Sequence, residues 1–227
     1  MKWNKSKEEI RANDLWNINK VQSQMISGFD KLTDIGACIT IFGSARLKET
    51  DPYYKLIEEI AFKFSEKGYG IITGGGPGLM TAANKGAKEG GSPSVGIGIK
   101  LPFEQGNNSY IDYDKNLTFD SFYIRKVMMI KYSQCFVIGG AGFGTLDELF
   151  ELLTLQSTLK IDKFPIYLVG SQYWKGLVDW LRNTVLEKGC ISESDLELFR
   201  IVDTADEIIS SFDKFFVKYR KENKLNF

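Results

Sequence analysis

The sequence predicts an α/β fold built on a doubly wound parallel sheet with helices on both faces. Three observations point to it. Short β-rich runs alternate with stretches of helical periodicity. Most of those runs are continuously apolar, as expected of strands covered on two sides. Three of them end in glycine or other small residues just before a helix. With 227 residues the chain has enough material for one well-buried core, and one domain over residues 1–227 is expected.

The strands expected are 37–42, 70–73, 95–99, 117–119, 136–138 and 166–169. An amino-terminal helical extension occupies residues 1–34, with its helix from about Lys7 to Leu32. Leu56, Ile57, Ile60, Ala61 and Phe64 form one helical stripe. Phe122 to Ile130 form an apolar and aromatic helix between two strands. Leu146, Leu149, Phe150 and Leu153 form the next stripe, followed by Trp174, Leu177, Val178 and Leu181. A last helix from about Thr204 to Tyr219 carries Ile208, Phe212, Phe215 and Phe216, and residues 220–227 read as a frayed tail.

Composition narrows the chemistry. There is no histidine, which removes Ser-His-Asp and Cys-His nucleophile systems and His-based zinc sites. Acid–base work falls to carboxylates, Lys, Tyr or Cys. Twenty-nine basic residues balance 29 acidic ones, so no bulk charge draws the chain to nucleic acid or to an anionic membrane, and any anion site must be local. The three cysteines are widely spaced and fit a reducing compartment. No run approaches the ~20 apolar residues of a membrane span, and the amino terminus has no apolar leader. A cytoplasmic protein without metal or cofactor is expected.

The glycine-rich turns are Gly43-Ser44-Ala45, then Gly74-Gly75-Gly76-Pro77-Gly78, then Gly139-Gly140-Ala141-Gly142-Phe143-Gly144-Thr145. In an open α/β sheet, ligands sit beyond the carboxyl ends of the strands. Glycine there lets backbone approach a ligand, and the next helix offers free N–H groups to a phosphate. A single such turn is as readily structural, but three at one sheet edge favour a phosphate site. The spacing is not that of a dinucleotide fingerprint, and without a Gly-Lys pair there is no ATP-type phosphate loop. A smaller phosphate ester, such as a mononucleotide, fits better.

Thr145-Leu146-Asp147-Glu148 reads on its own as a capping box, with Thr145 as N-cap and Glu148 reaching back. The alternative places Glu148 in the first helical turn, facing a ligand. Arg125 and Lys126 interrupt an apolar helix with little solvated face, which favours a buried, working Arg125. The segment 101–110, with Glu104 and Asn108, suits a base or ribose, or a plain surface loop.

In combination, FGSAR at 42–46, GGGPGLM at 74–80, AANKGA at 82–87, LPFEQ at 101–105, IRK at 124–126 and GFGTLDE at 142–148 resemble the lonely-guy (LOG) family. That family carries the older label "possible lysine decarboxylase". The distal segments PIYLVG, YWKGLVDWLR and ISESDLELF resemble its longer bacterial branch. The likeness covers roughly residues 35–212.

The resemblance implies a Rossmann-like fold, a homodimer or assembly of dimers, and hydrolysis of the N-glycosidic bond of a purine nucleoside 5′-monophosphate. It places catalytic roles on Arg125 and Glu148. It places phosphate and ribose contacts on Gly74, Gly75, Gly76, Gly78, Gly142, Phe143, Gly144 and Thr145. Ser44 falls on a position lining the pocket near the base, and Lys126, Glu104 and Asn108 complete the expected pocket. Two departures stand out: Gly140-Ala141 replaces the family Pro-Gly, and aromatic residues around Phe122-Tyr123 replace a Met-His pair. A salt-bridged Glu148 is expected to keep a low pKa. The decarboxylase label implies pyridoxal phosphate, for which no cofactor-lysine motif is seen. The main rival reading is a non-catalytic carrier of a nucleotide or of molybdenum cofactor.

Overall fold

A computed structural model describes residues 6–101 and 106–223, with side chains in the last helix followed to residue 218. Glu104 lies outside the described residues. The elements run α1 (Lys7–Leu32), β1 (Cys38–Phe42), α2 (Pro52–Glu66), β2 (Gly70–Thr73), α3 (Leu79–Glu89), β3 (Ser94–Ile99), β4 (Asn116–Phe119), α4 (Phe122–Lys131), β5 (Ser133–Ile138), α5 (Phe143–Ser157), β6 (Ile166–Val169), α6 (Ser171–Trp180), β7 (Phe199–Val202) and α7 (Ala205–Asn223).

The strands form one sheet in the order β4-β3-β2-β1-β5-β6-β7, and every pairing is parallel. The chain builds outward from β1 in one direction to β4, crosses back through α4, and builds outward again from β5. The order therefore reverses between β1 and β5, the switch point of a Rossmann-like sheet. Helices cover both faces, as the unbroken apolar strands require. Leu32, Met128, Leu149, Leu152 and Trp174 pack one face, from α1, α4, α5 and α6. Ile57, Ile60, Phe64, Ala83, Ile208 and Phe212 pack the other, from α2, α3 and α7.

Local chemistry sets the helix starts. Ser6 and Glu9 form a reciprocal capping box on α1. Asp51 accepts from the Tyr53 N–H, and Pro52 occupies the first position of α2, where its missing N–H costs nothing. The six expected strands are all present, three of them extended at the amino end, and α1 has the expected bounds. Strand β7 was not anticipated. Helix α7 continues as backbone to Asn223, into the segment read as a frayed tail. No helix among the described residues is long and apolar enough to cross a membrane.

Candidate functional site

The loops after β1 and β5 diverge at the switch point and open a cleft of about 750 Å³. Its walls bring together Ser44 and Arg46 after β1, Gly74 after β2, Arg125 of α4, and the turn Ala141–Thr145 with Glu148 of α5. Residues distant in the chain thus converge because the parallel topology places every strand's carboxyl end on one edge.

The three glycine turns are knitted to each other. The Ser44 N–H donates to the Gly140 carbonyl at 2.8 Å, and the Leu79 N–H donates to the Ser44 carbonyl at 3.0 Å. Gly78, at φ +68°, is required sterically as well: a Cβ there would lie 2.4 Å from the Ser44 carbonyl oxygen. Behind the second turn, the fully buried Asn84 accepts from the Thr73 hydroxyl at 2.6 Å and donates to the Ser94 hydroxyl at 2.9 Å.

The start of α5 departs from the expected capping box. Gly142 is the N-cap, with no side-chain cap, and Thr145 sits at the third helical position. Glu148 consequently lies in the second turn, not the first, and does not reach back to Thr145. Three residues of added helix leave the first N–H groups, Phe143 to Thr145, without helical carbonyl partners, on residues that line the cleft. The positive end of the α5 dipole lies there too.

Glu148 is 8% exposed and Arg125 9%. The Arg125 guanidinium meets the Glu148 carboxylate at 3.3 Å, and its Nε donates to the Ile97 carbonyl at 2.8 Å. The expectation of a low Glu148 pKa is not met. Burial pushes the carboxyl up to about 7, more than the nearby Arg125 and Lys126 pull it down, and Asp147 and Glu151 add to the rise. Desolvation also lowers the pKa of Arg125, against the pull of Glu148. Both charges are taken out of water, so a 3.3 Å contact does not restore the carboxylate to its ordinary range.

Of the other residues named from sequence, Ser44, Gly74, Gly142, Phe143, Gly144 and Thr145 line the cleft. Gly75, Gly76 and Gly78 stand behind it and shape the loop that presents Gly74. Asn108 is turned to that loop: its amide donates to the Gly75 and Gly76 carbonyls at 3.1 Å and to Asn84 at 3.0 Å. Its role in the described structure is to fasten the loop, not to line the cleft. Lys126 likewise points along α5, with its ammonium 2.7 Å from Asp147 and 2.9 Å from Glu151. The charge of this α4 residue is taken up by the outer face of α5.

Arg46 and Met80 also line the cleft and were not singled out from sequence, while Leu101, which opens the 101–110 segment expected near a base or ribose, lines it too. Tyr173 was not singled out either; its hydroxyl bonds both polar atoms of the Ala141 peptide. Its segment carries the YWKGLVDWLR resemblance, but no spacing rule ties it to a loop 32 residues earlier. The replacement of Pro-Gly by Gly140-Ala141 brings no strain. Ala141 and Gly140 both have negative φ, and Leu159 is the only non-glycine residue with positive φ among those described.

The fold and the site define a doubly wound α/β protein with a glycine-lined cleft at its switch point, where open parallel sheets of this kind hold their ligands. Residues 80–212 match the profile of the family described as "Possible lysine decarboxylase". The chain belongs to this family, the LOG family of the sequence resemblance. It is 29% identical over 157 residues to a cytokinin riboside 5′-monophosphate phosphoribohydrolase of Mycobacterium tuberculosis, covering 68% of this chain and 82% of that protein. It is 25% identical to an enzyme of the same name from Arabidopsis thaliana, covering 78% and 82%.

Among solved structures, it is similar to the molybdenum cofactor binding protein of Rippkaea orientalis, with a TM-score of 0.58 and 20% identity over 80% of this chain and 98% of that one. It is also similar to the Moco carrier protein of Chlamydomonas reinhardtii, at 0.55 and 22% over 81% and 99%. At those identities the likeness is one of fold. The family's older description implies pyridoxal phosphate, which needs a lysine to hold it as a Schiff base. None of the described residues lining the cleft is a lysine, so the site does not fit that cofactor.

Proposed function

We propose that this chain hydrolyses the N-glycosidic bond of a purine nucleoside 5′-monophosphate, releasing the free base and ribose 5-phosphate. The observation that carries the reading is the buried Arg125–Glu148 pair, opening on the same cleft as the free amino-terminal turn of α5. The ester's phosphate docks on the N–H groups of Gly142 to Thr145, where backbone donors and the helix dipole favour an anion. A phosphate there places the sugar toward Glu148, one turn further along α5.

As the C1′–N9 bond breaks, positive charge develops on the ribose ring. Glu148 as carboxylate opposes that charge and takes a proton from the attacking water, whose oxygen bonds to C1′. The departing base takes up a proton at N9 from solvent, and Glu148 afterwards returns the water's proton to solvent, so the reaction balances as ester plus water. Arg125 fixes the carboxylate's position and its hydrogen-bonding direction. A Glu148 pKa near 7 keeps a substantial ionised fraction at neutral pH while making the group a competent proton acceptor.

The relatives named as cytokinin riboside 5′-monophosphate phosphoribohydrolases support a purine ester as substrate. The homodimer implied by the family belongs to the same proposal. Phe122, Tyr123 and Val127 on α4 each leave two fifths or more of their surface to solvent, an apolar surface that a second copy would cover. Light scattering in solution tests that part. The activity is tested by incubating the protein with a panel of nucleoside 5′-monophosphates and assaying released base. Release from AMP or an N6-substituted AMP, abolished by Glu148→Gln, is the expected result. No release from any member of the panel overturns the proposal.

A further inference from the structure

We propose that Tyr173 is the positioning residue of the phosphate-binding turn. Its hydroxyl locks Ala141, and so aims the free N–H groups that follow. This rests on the reading that the cleft takes a phosphate ester. The Tyr173 hydroxyl donates to the Ala141 carbonyl at 2.6 Å and accepts from the Ala141 N–H at 3.0 Å. One side chain thus satisfies both polar groups of a single residue.

The fastening of the turn is sequential and stops where ligand binding begins. The Gly139 N–H donates to the Phe42 carbonyl at 2.8 Å, and the Gly140 carbonyl accepts from Ser44 at 2.8 Å. Ala141 is then held by Tyr173. From Gly142 to Thr145 the backbone N–H groups precede the first intrahelical donor of α5, Leu146. Tyr173 is the last restraint before those free donors, and it consumes the Ala141 N–H, so the donor set starts at Gly142.

The phenol is itself held in place. Gly170, at φ +100°, opens α6 three residues earlier, and a Cβ there would lie 2.3 Å from the Tyr53 ring. That space lets Tyr53 pack edge-on against Tyr173 at 6.2 Å, and Trp174 packs edge-on against the same ring at 5.3 Å. The strand β6, through α6, therefore controls a turn that follows β5.

Arg125 and Glu148 stand on α4 and α5 and do not touch Tyr173. Loosening the turn weakens contacts made equally to the bound ester and to its transition state, which raises KM and leaves kcat. Tyr173→Phe keeps the ring packing and deletes only the hydroxyl. The expected result is about tenfold weaker binding of ribose 5-phosphate by calorimetry, the size of losing a bond or two of ordinary strength. KM for AMP should rise by about the same factor, with kcat within about twofold. Amide exchange at Ala141 should quicken, with the circular dichroism spectrum unchanged.

Equal affinity of the variant and the parent for ribose 5-phosphate overturns the inference, whether or not Ala141 exchanges faster. So does a fall confined to kcat. A parent protein that binds ribose 5-phosphate but leaves AMP intact overturns the proposed activity and leaves this inference standing. A parent that does not bind ribose 5-phosphate overturns this inference, and the proposed activity then stands or falls on base release from AMP.

Discussion

Gly74 and Arg125 are packed so closely that no side chain fits between them: a Cβ added to Gly74 would lie 2.2 Å from Nη2 of the guanidinium. The glycine belongs to the turn after β2 and the arginine to α4, so the contact locks the second glycine turn to the arginine that meets Glu148. The guanidinium has little room to yield, since Ile97 and Glu148 hold its other donors. Gly74→Ala is expected to displace it. A misplacement of about an ångström at a reacting site costs about 100-fold in rate. Measuring kcat on AMP checks this, and a rate within threefold of the parent counts against the placement of Arg125.

Glu148→Gln removes the ionisable group and retains the size. Turnover of AMP should fall by at least about 100-fold, typical of losing one positioned acid–base group. The circular dichroism spectrum should be unchanged.

The same carboxyl gives opposite pH dependences to rate and to stability. Burial raises it from an ordinary 4.5 to about 7. In the proposed hydrolysis the ionised form works, so kcat/KM should rise with pH through about 7, and that limb should vanish in Glu148→Gln. Stability runs the other way. The protonated form is the one the folded protein prefers, so this group's contribution is complete below about 4.5 and is lost as pH rises through about 7. Thermal melts between pH 4 and 8, parent against Glu148→Gln, isolate that contribution.

Lys126 pulls the Glu148 pKa down, while Asp147 and Glu151 push it up. Lys126→Met should move the kinetic limb to higher pH, and Asp147→Asn should move it to lower pH. Turnover on the plateau should be nearly unchanged, because the Lys126 ammonium is directed at Asp147 and Glu151.

Gly78→Ala tests the knitting of the turns apart from chemistry. It forces an alanine to φ +68° and its methyl to 2.4 Å from the Ser44 carbonyl oxygen. Backbone strain of about 1–3 kcal/mol corresponds to a loss of about 2–12 °C in melting temperature for a chain of this size. Calorimetry measures it.

Unbroken apolar runs made the central strands legible, and glycine at their ends made the cleft edge legible. What escaped lacked those signals. Strand β7, Phe-Arg-Ile-Val, lies at the sheet edge and pairs only with β6, so it tolerates the exposed Arg200 and never becomes a fully apolar run. The register of α5 was misread because Thr145 and Glu148 have capping-box spacing. In the fold, extended Gly142 already starts the helix without a side-chain cap. Asn108 and Lys126 illustrate a different gap. Their polarity placed them near the cleft edge, but only coordinates give the direction of an amide or an ammonium. The Glu148 pKa was misjudged for a related reason: a sequence discloses the partner charge but not the depth at which the pair is sunk.

The switch point has a kinetic consequence. Phe42 and Ile138 are register partners, yet most of the chain's first half lies between them. The cleft above that seam comes into being only when the slowest kind of contact, a remote parallel pairing, has closed. Anything lodged there will recognise finished molecules alone, and by mass action it will act as a clasp on the whole sheet.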